Sequence, residues 1–275
     1  MTTPHQPGPL LAGRQALVTG GGGGIGRAIS LAFAAHGANV IIAEIDVDLA
    51  IATEAEIRAA GGQADAIVVD VTEPRAVAQL AADAGPVSVL VNNVGHYLFR
   101  GADFVDSSPD QWDALYRANL GHVLHVTHAI LPGMIDRGLG GSIINLTTVE
   151  AFRAKPQSAV YAAYKGAVTQ FTKSLAVEVG SHGIRVNAIA PDLTESLQIP
   201  YDRWVKPDQT HLIPTWVPVG RFGTPDDQAG VALFLASDLS AFVTGTTVHA
   251  DGGSYAAGGW FRTARGGWTN RPLAP

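Results

Sequence analysis

The chain has 275 residues, of which 47% are hydrophobic and 15% charged, with a formal net charge of -6 and no cysteine. That length suits one α/β domain with a substantial core, and the low charged fraction excludes a disordered chain. The acidic balance and scattered Lys and Arg exclude a basic footprint for nucleic acid or an anionic membrane, and the lack of cysteine excludes a disulfide framework and a thiolate metal site.

Residues 1–10 lack the charged-then-apolar pattern of a signal peptide and are expected to form a flexible tail. An apolar run from Gln15 to Thr19 then leads into a glycine cluster and a helical pattern over Ile25 to His36. The rhythm repeats as strand Asn39 to Glu44, helix Asp48 to Ala60, strand Ala64 to Val69, helix Glu73 to Ala84 and strand Val87 to Asn92. A long helix over Pro109 to Ile135 follows, then strand Gly141 to Thr147, helix Ser158 to Gly180 and strand Ile184 to Ala190. Residues 191–219 break the pattern with Pro-rich and aromatic sequence and are predicted to form a substrate lid, since long irregular segments in compact domains are commonly functional. Helix Pro225 to Ser237 and strand Thr246 to Ala250 resume the alternation, which specifies a doubly wound parallel sheet, a three-layer αβα domain of Rossmann type over residues 11–257. Residues 258–275 form a C-terminal extension with no readable fold. All apolar runs are strand-length and too short to span a bilayer, so a soluble protein is expected, with the cytoplasm as its default place.

The glycine cluster stands where the first strand turns into a helix. Residues without Cβ at Gly20, Gly23, Gly24 and Gly26, with Ile25 among them, let backbone N–H groups approach a pyrophosphate at the positive end of the helix. Glu44 ends the second strand. Its carboxylate can accept from both hydroxyls of an adenosine ribose and would repel a 2′-phosphate, which favours NAD over NADP; a solvated strand-end carboxylate is the alternative. Asp70, at the end of the third strand, could bond an adenine amino group, with Val71 supplying backbone contacts, or could simply be solvated. Asn92, Asn93, Val94 and Gly95 end the fourth strand at the carboxyl edge of the sheet, where open α/β sheets bind ligands, and Asn92 is predicted to line the cofactor.

Tyr161 and Lys165 lie four positions apart and share one helix face, so the ammonium can lower the phenol pKa from about 10 towards working pH. Thr148, at the carboxyl end of a strand, can hydrogen-bond the same substrate oxygen, and Asn119 in the long helix can hold a water that relays protons to the lysine. Tyr164 has no lysine four positions later and would point off this face. His122, His125 and His128 drift around their helix with no carboxylate to complete a site, so no metal is expected.

In this order, the glycine pattern TGxxxGxG, the NNxG segment, an Asn, a hydroxyl residue and YxxxK resemble the short-chain dehydrogenase/reductase family over roughly Leu11 to Gly253. The resemblance implies Tyr161 as acid/base, Lys165 as a ligand of the nicotinamide ribose, Thr148 as the group that polarises the carbonyl and Asn119 as the end of a proton relay. Two departures stand out: Thr148 replaces the usual Ser, and Pro191-Asp192 replaces the usual Pro-Gly. Pro191, Leu193, Thr194 and Ser196 are plausible contacts to the cofactor. The resemblance also implies a homotetramer, or a dimer, packed through the two long helices.

His96, Tyr97, Glu150, Phe152, Trp204, His211 and Trp216 are candidates to line the substrate cleft. A mostly apolar wall would suit a cyclic alcohol of steroid-like or terpenoid-like shape. The tail aromatics Trp260, Phe261 and Trp268 are expected to reach a neighbouring subunit, because exposed rings on a free tail are costly in water. Three functions remain open: an NAD-dependent alcohol dehydrogenase or ketone reductase acting on a small molecule, an NADPH-dependent 3-oxoacyl thioester reductase on the same scaffold, and a non-enzymatic nucleotide-binding scaffold. Glu44 opposes the second and the intact Tyr161/Lys165 pair opposes the third; fold alone settles none of them.

Overall fold

The computed structural model describes residues 8–99, 101–197, 200, 205–258, 261–263 and 267–269. Trp204 and Trp260 lie outside the described residues, as do the side chains of Phe261 and Trp268. The expectations placed on these four rings therefore lie outside them as well.

Seven short apolar segments become strands: β1 (Gln15–Thr19), β2 (Asn39–Glu44), β3 (Gln63–Val68), β4 (Val89–Asn92), β5 (Gly141–Leu146), β6 (Ile184–Pro191) and β7 (Thr247–Ala250). All pair in parallel, in the order β3-β2-β1-β4-β5-β6-β7. The connecting helices are α1 (Gly24–Ala35), α2 (Val47–Ala59), α3 (Pro74–Asp83), α4 (Pro109–Tyr116), α5 (His122–Arg137), α6 (Ala159–Val179) and α7 (Pro225–Ala236). Side chains alternate across each strand, so Ala16 and Val18 of β1 enter one core layer with Ile29 and Phe33 of α1 and Ala232 of α7, while Leu17 enters the other with Leu80, Val126 and Leu175 of α3, α5 and α6. Burying a side chain such as Phe33 stabilises the fold by about 1.5–3 kcal/mol. The result is the three-layer, doubly wound sheet expected from the alternation.

The chain order reverses between β1 and β4, which are neighbours in the sheet. The carboxyl ends of these two strands diverge there and leave a crevice, the general location of ligands in open α/β sheets. The long helix predicted over Pro109 to Ile135 is instead interrupted. Arg117–Gly121 forms a single π-helical turn between α4 and α5, and Asn119 stands at its centre. Such turns insert one residue into the helical ladder and re-aim the side chains beside them.

The predicted lid is also more ordered than its composition suggests. β6 runs on to Pro191, a bridge joins Thr194 to Gly223, and short helical turns cover Pro207–Leu212 and Ile213–Trp216. Among the described residues no helix is long and apolar enough to cross a membrane.

Candidate active site

The crevice begins at the turn from β1 to α1. A Cβ on Gly26 would stand 1.9 Å from the Gly20 carbonyl oxygen, so only glycine lets the helix start this close to the strand. Asn93 locks the turn: its Nδ2 donates to the carbonyls of Thr19 and Gly20 at 3.0 and 3.2 Å, and its backbone N–H donates to Thr19 Oγ1 at 3.0 Å. Gly23 caps α1 without any side-chain hydrogen bond to the helix end. The first backbone N–H groups of α1 are thus left for an anion, which is the chemistry a pyrophosphate requires. Ile25 packs against the core below, and Val94 lies against Gly20 from the β4 side.

Glu44 projects from the end of β2 beneath this turn, where it is 8% exposed. Its Oε2 accepts from the Gly22 N–H at 3.1 Å, and its Oε1 accepts from Ile45 and Asp46 at 2.9 and 3.3 Å. Three backbone donors anchor the carboxylate at the edge of the cradle. Arg27, the nearest cation on α1, is turned away into an ion pair with Glu56.

Across the crevice, the first turns of α6 place Tyr161 and Lys165 on one buried face. The Lys165 ammonium donates to the Leu146 carbonyl at the end of β5 at 3.0 Å, and burial pushes its pKa down to about 8. A Cβ on Gly95 would meet that ammonium at 2.6 Å and Asn119 Oδ1 at 3.4 Å, so the absent side chain makes the space where the lysine and asparagine converge. Asn119 is wholly buried; its Nδ2 donates to the carbonyls of His96 and Leu115, and its Oδ1 accepts from the His96 N–H at 3.1 Å. The π turn therefore serves to aim this amide at the β4 loop.

The Tyr161 phenol is 9% exposed, and its pKa is raised, first by burial and then by the Glu150 charge; hydrogen bonding with Tyr97 and Thr148 works in the opposite direction. Thr148 starts the segment after β5, and its Oγ1 accepts from the Glu150 N–H at 3.4 Å, a weak bond. The adjacent Thr147 is a structural residue, its hydroxyl donating to the Lys165 carbonyl at 2.9 Å. Tyr164 leaves the catalytic face and packs edge-on against Tyr116.

Beyond Tyr161 the cleft has two unlike walls. Tyr97 packs tilted against Tyr161, with ring centroids 4.3 Å apart, and donates its hydroxyl to Glu150 Oε2 at 3.0 Å, while Lys155 pairs with Glu150 Oε1 at 3.3 Å. On the other side a cavity of about 60 Å³ opens beside Tyr97 and Tyr161 against Phe99, Phe104, Trp112 and Leu115. A second aromatic group, Phe152, His249 and Tyr255, lies farther along, with His249 stacked on Tyr255 at 4.7 Å.

This geometry agrees with comparisons to known proteins. A family model described as enoyl-(acyl carrier protein) reductase matches residues 21–255. The chain belongs to the short-chain dehydrogenase/reductase family. A 3-oxoacyl-[acyl-carrier-protein] reductase of Thermotoga maritima is 36% identical over 247 residues, covering 88% of this chain and 98% of the relative. Among solved structures, one from Agrobacterium tumefaciens, provisionally assigned as a 2-deoxy-D-gluconate 3-dehydrogenase with bound NADP, is 35% identical with a TM-score of 0.83, covering 91% of this chain and all of that one. A 7α-hydroxysteroid dehydrogenase in complex with NADH and 7-oxo glycochenodeoxycholic acid is 31% identical with a TM-score of 0.81, covering 88% of this chain and 94% of that one.

Set in the frame of a short-chain dehydrogenase/reductase, several predicted residues change place. Asn92 does not line the crevice: it is fully buried, and its Nδ2 donates to Thr127 Oγ1 and Asn145 Oδ1 at 3.0 and 2.9 Å, so the neighbouring Asn93 is the residue that supports the glycine turn. Asp70 lies two residues past β3 rather than at its end, and its Oδ1 accepts from the N–H and hydroxyl of Thr72. The Val71 side chain is in the core. Thr194 faces inward; its hydroxyl donates to the Asp192 carbonyl and accepts from Gln228, each at 3.0 Å. The His96 ring folds onto its own loop, Nδ1 accepting from the Leu98 N–H at 2.7 Å.

The family departure at Pro191-Asp192 has a visible cause. Asp192 Oδ2 accepts from Arg153 at 2.6 Å and from Ser254 at 2.5 Å, tying the segment after β5 to the segment after β7. The left-handed backbone falls on Leu193, with φ of 38°, a conformation that costs a residue bearing Cβ about 1–3 kcal/mol. Asn93, Lys155, Arg153, Ser254 and Gln228 are contributors that the sequence reading missed. Only Asn93 carried a signal, since alternate residues of a strand face opposite sides and an Asn pair must divide between core and crevice.

Proposed function

We propose that this protein is an NAD(H)-dependent oxidoreductase that interconverts a secondary alcohol and a ketone, with Tyr161 as the general acid/base. The observation that carries the reading is the convergence of Tyr161, Lys165, Thr148 and Asn119 at the carboxyl ends of β4 and β5, across the crevice from an uncapped helix N-terminus. The residues suited to holding the cofactor are Gly20 to Gly26 and Glu44, with Val94, Gly95 and Pro191 at the far end and Lys165 at the nicotinamide ribose. A bound nicotinamide would supply hydride exchange with the carbinol carbon. Thr148 would hold the substrate oxygen, Tyr161 would give or take its proton, and Lys165 would hold a positive charge beside the phenol. Asn119, wedged between the His96 loop and the lysine, would keep that corner open to a proton-relaying water.

Glu44 supports NAD over NADP. A carboxylate offers about four acceptor sites, three of which take backbone N–H groups. The remaining capacity suits a ribose hydroxyl, whereas a second anion there would go unpaired. The aromatic cavity beside Tyr161 supports a substrate with an apolar, ring-like body. The reductase of Thermotoga maritima favours a second reading, NADPH-dependent reduction of a 3-oxoacyl thioester, which Glu44 opposes. The test is a ketone panel, including cyclic ketones and an acetoacetyl thioester, assayed with each reduced cofactor. NADH-linked turnover of a ketone, lost in Tyr161→Phe while NADH still binds, supports the proposal; full activity in that variant overturns it.

A further inference from the structure

Tyr161 is surrounded by an unusual set of charges. Lys165 approaches from its own helix, and His122 lies behind Lys165 at the start of α5. The loop after β4 brings His96 and Tyr97, and the segment after β5 brings Thr148, Glu150, Arg153 and Lys155. Arg153 is neutralised by Asp192 at 2.6 Å. Glu150 and Lys155 therefore form the second ion pair of this wall, and it is not symmetrical. The Glu150 side chain is 11% exposed and the Lys155 side chain 37%, with the ammonium over the face of Tyr97 at 3.9 Å from the ring centroid. The negative member is the inner one, and Tyr97 joins it to Tyr161 through a 3.0 Å hydrogen bond and a tilted ring contact of 4.3 Å.

We propose that Tyr97 and Glu150 are positioning residues for Tyr161, Tyr97 fixing its ring against the wall and Glu150 keeping its hydroxyl protonated, with Lys155 as the counter-ion that limits the effect. The inference rests on Tyr161 being the acid/base. Glu150 opposes a phenolate by placing a second negative charge in the same desolvated wall, so the site favours donation of a proton to a carbonyl oxygen over removal of one from an alcohol. Lys155, which lies over the Tyr97 face and is more exposed than Glu150, offsets that field only in part.

The test reads Tyr161 directly and needs no substrate. Tyrosinate absorbance is titrated in the near ultraviolet, and each protein is compared with its own Tyr161→Phe counterpart so that the difference isolates Tyr161. In Glu150→Gln the ionisation of Tyr161 is expected to move down by about one pH unit, and in Lys155→Met to move up. Tyr97→Phe, which keeps the ring contact and removes the hydroxyl that bonds Glu150 and Tyr161, is a second variant in case Glu150→Gln folds poorly, and it is expected to move the ionisation up. NADH fluorescence shows that each variant retains its nucleotide site. Coincident titrations in the wild type and all three variants overturn the proposal, as does the absence of a Tyr161 step in Glu150→Gln throughout the range where it stays folded. An absence of NADH-linked turnover in the wild type would instead refute the proposed function and leave the titration result standing.

Discussion

His122 gives the sharpest test of the buried electrostatics around the site. The residue opens α5 just after the π turn and is 1% exposed, with neither ring nitrogen in a well-formed hydrogen bond. Burial first, and the Lys165 charge second, push its pKa down to about 3 from an ordinary 6.5; the Val94 and Ala118 backbone offsets this in part, while His125 adds to it. Below pH 6.5 the unfolded chain gains a proton that the folded chain refuses until about pH 3. The contribution to stability is thus complete above 6.5 and is lost as pH falls through that window. One proton changes stability by about 1.4 kcal/mol per pH unit, so acidification to about pH 4.5 removes roughly 2–3 kcal/mol, a large share of the stability of an ordinary domain. Replacing His122→Gln removes the titration while nearly keeping the volume. Urea unfolding followed by tryptophan fluorescence between neutral pH and pH 4.5 should show the wild type losing that much more stability than the variant. Parallel stability profiles would refute the burial argument.

Two further substitutions probe the site and its support. Gly95→Ala sets a methyl group 2.6 Å from the Lys165 ammonium; the flexible lysine can shift and keep the fold, so turnover should fall by about tenfold or more, equivalent to roughly 1.4 kcal/mol, and NADH binding should weaken, with the urea midpoint little changed. Asp192→Gly restores the usual family residue but removes the bonds to Arg153 and Ser254. It should cost about 1–2 kcal/mol in urea unfolding and lower kcat as well as raise KM, because the loosened segment carries Thr148 and Glu150.

The alternation of apolar runs identified all seven strands of the parallel sheet, because each pattern is local and the central strands are covered on both faces. Tyr161 and Lys165 were legible for the same reason: their spacing is a property of one helix. The break at Arg117–Gly121 was not, since its residues are as compatible with an α-helix as those on either side, and the π turn is held by Asn119 reaching the distant His96 backbone. Asn92 was misplaced because strand-end position suggested a ligand, whereas its partners Thr127 and Asn145 come from two other elements. The Asp192 ties and the Glu150–Lys155–Tyr97 wall depend likewise on residues brought together from separate loops. Glu44 was singled out from its place at the end of β2, but its three backbone bonds appear only in the folded chain.

The proposed function requires that the crevice between β1 and β4 bind a nicotinamide dinucleotide without a 2′-phosphate, through Glu44. The direct measurement is calorimetric binding of NADH and NADPH at one salt concentration, for the wild type and Glu44→Ala. The wild type is expected to show a clear preference for NADH that narrows in the variant. Tighter binding of NADPH by the wild type, or a preference unchanged by Glu44→Ala, would contradict it.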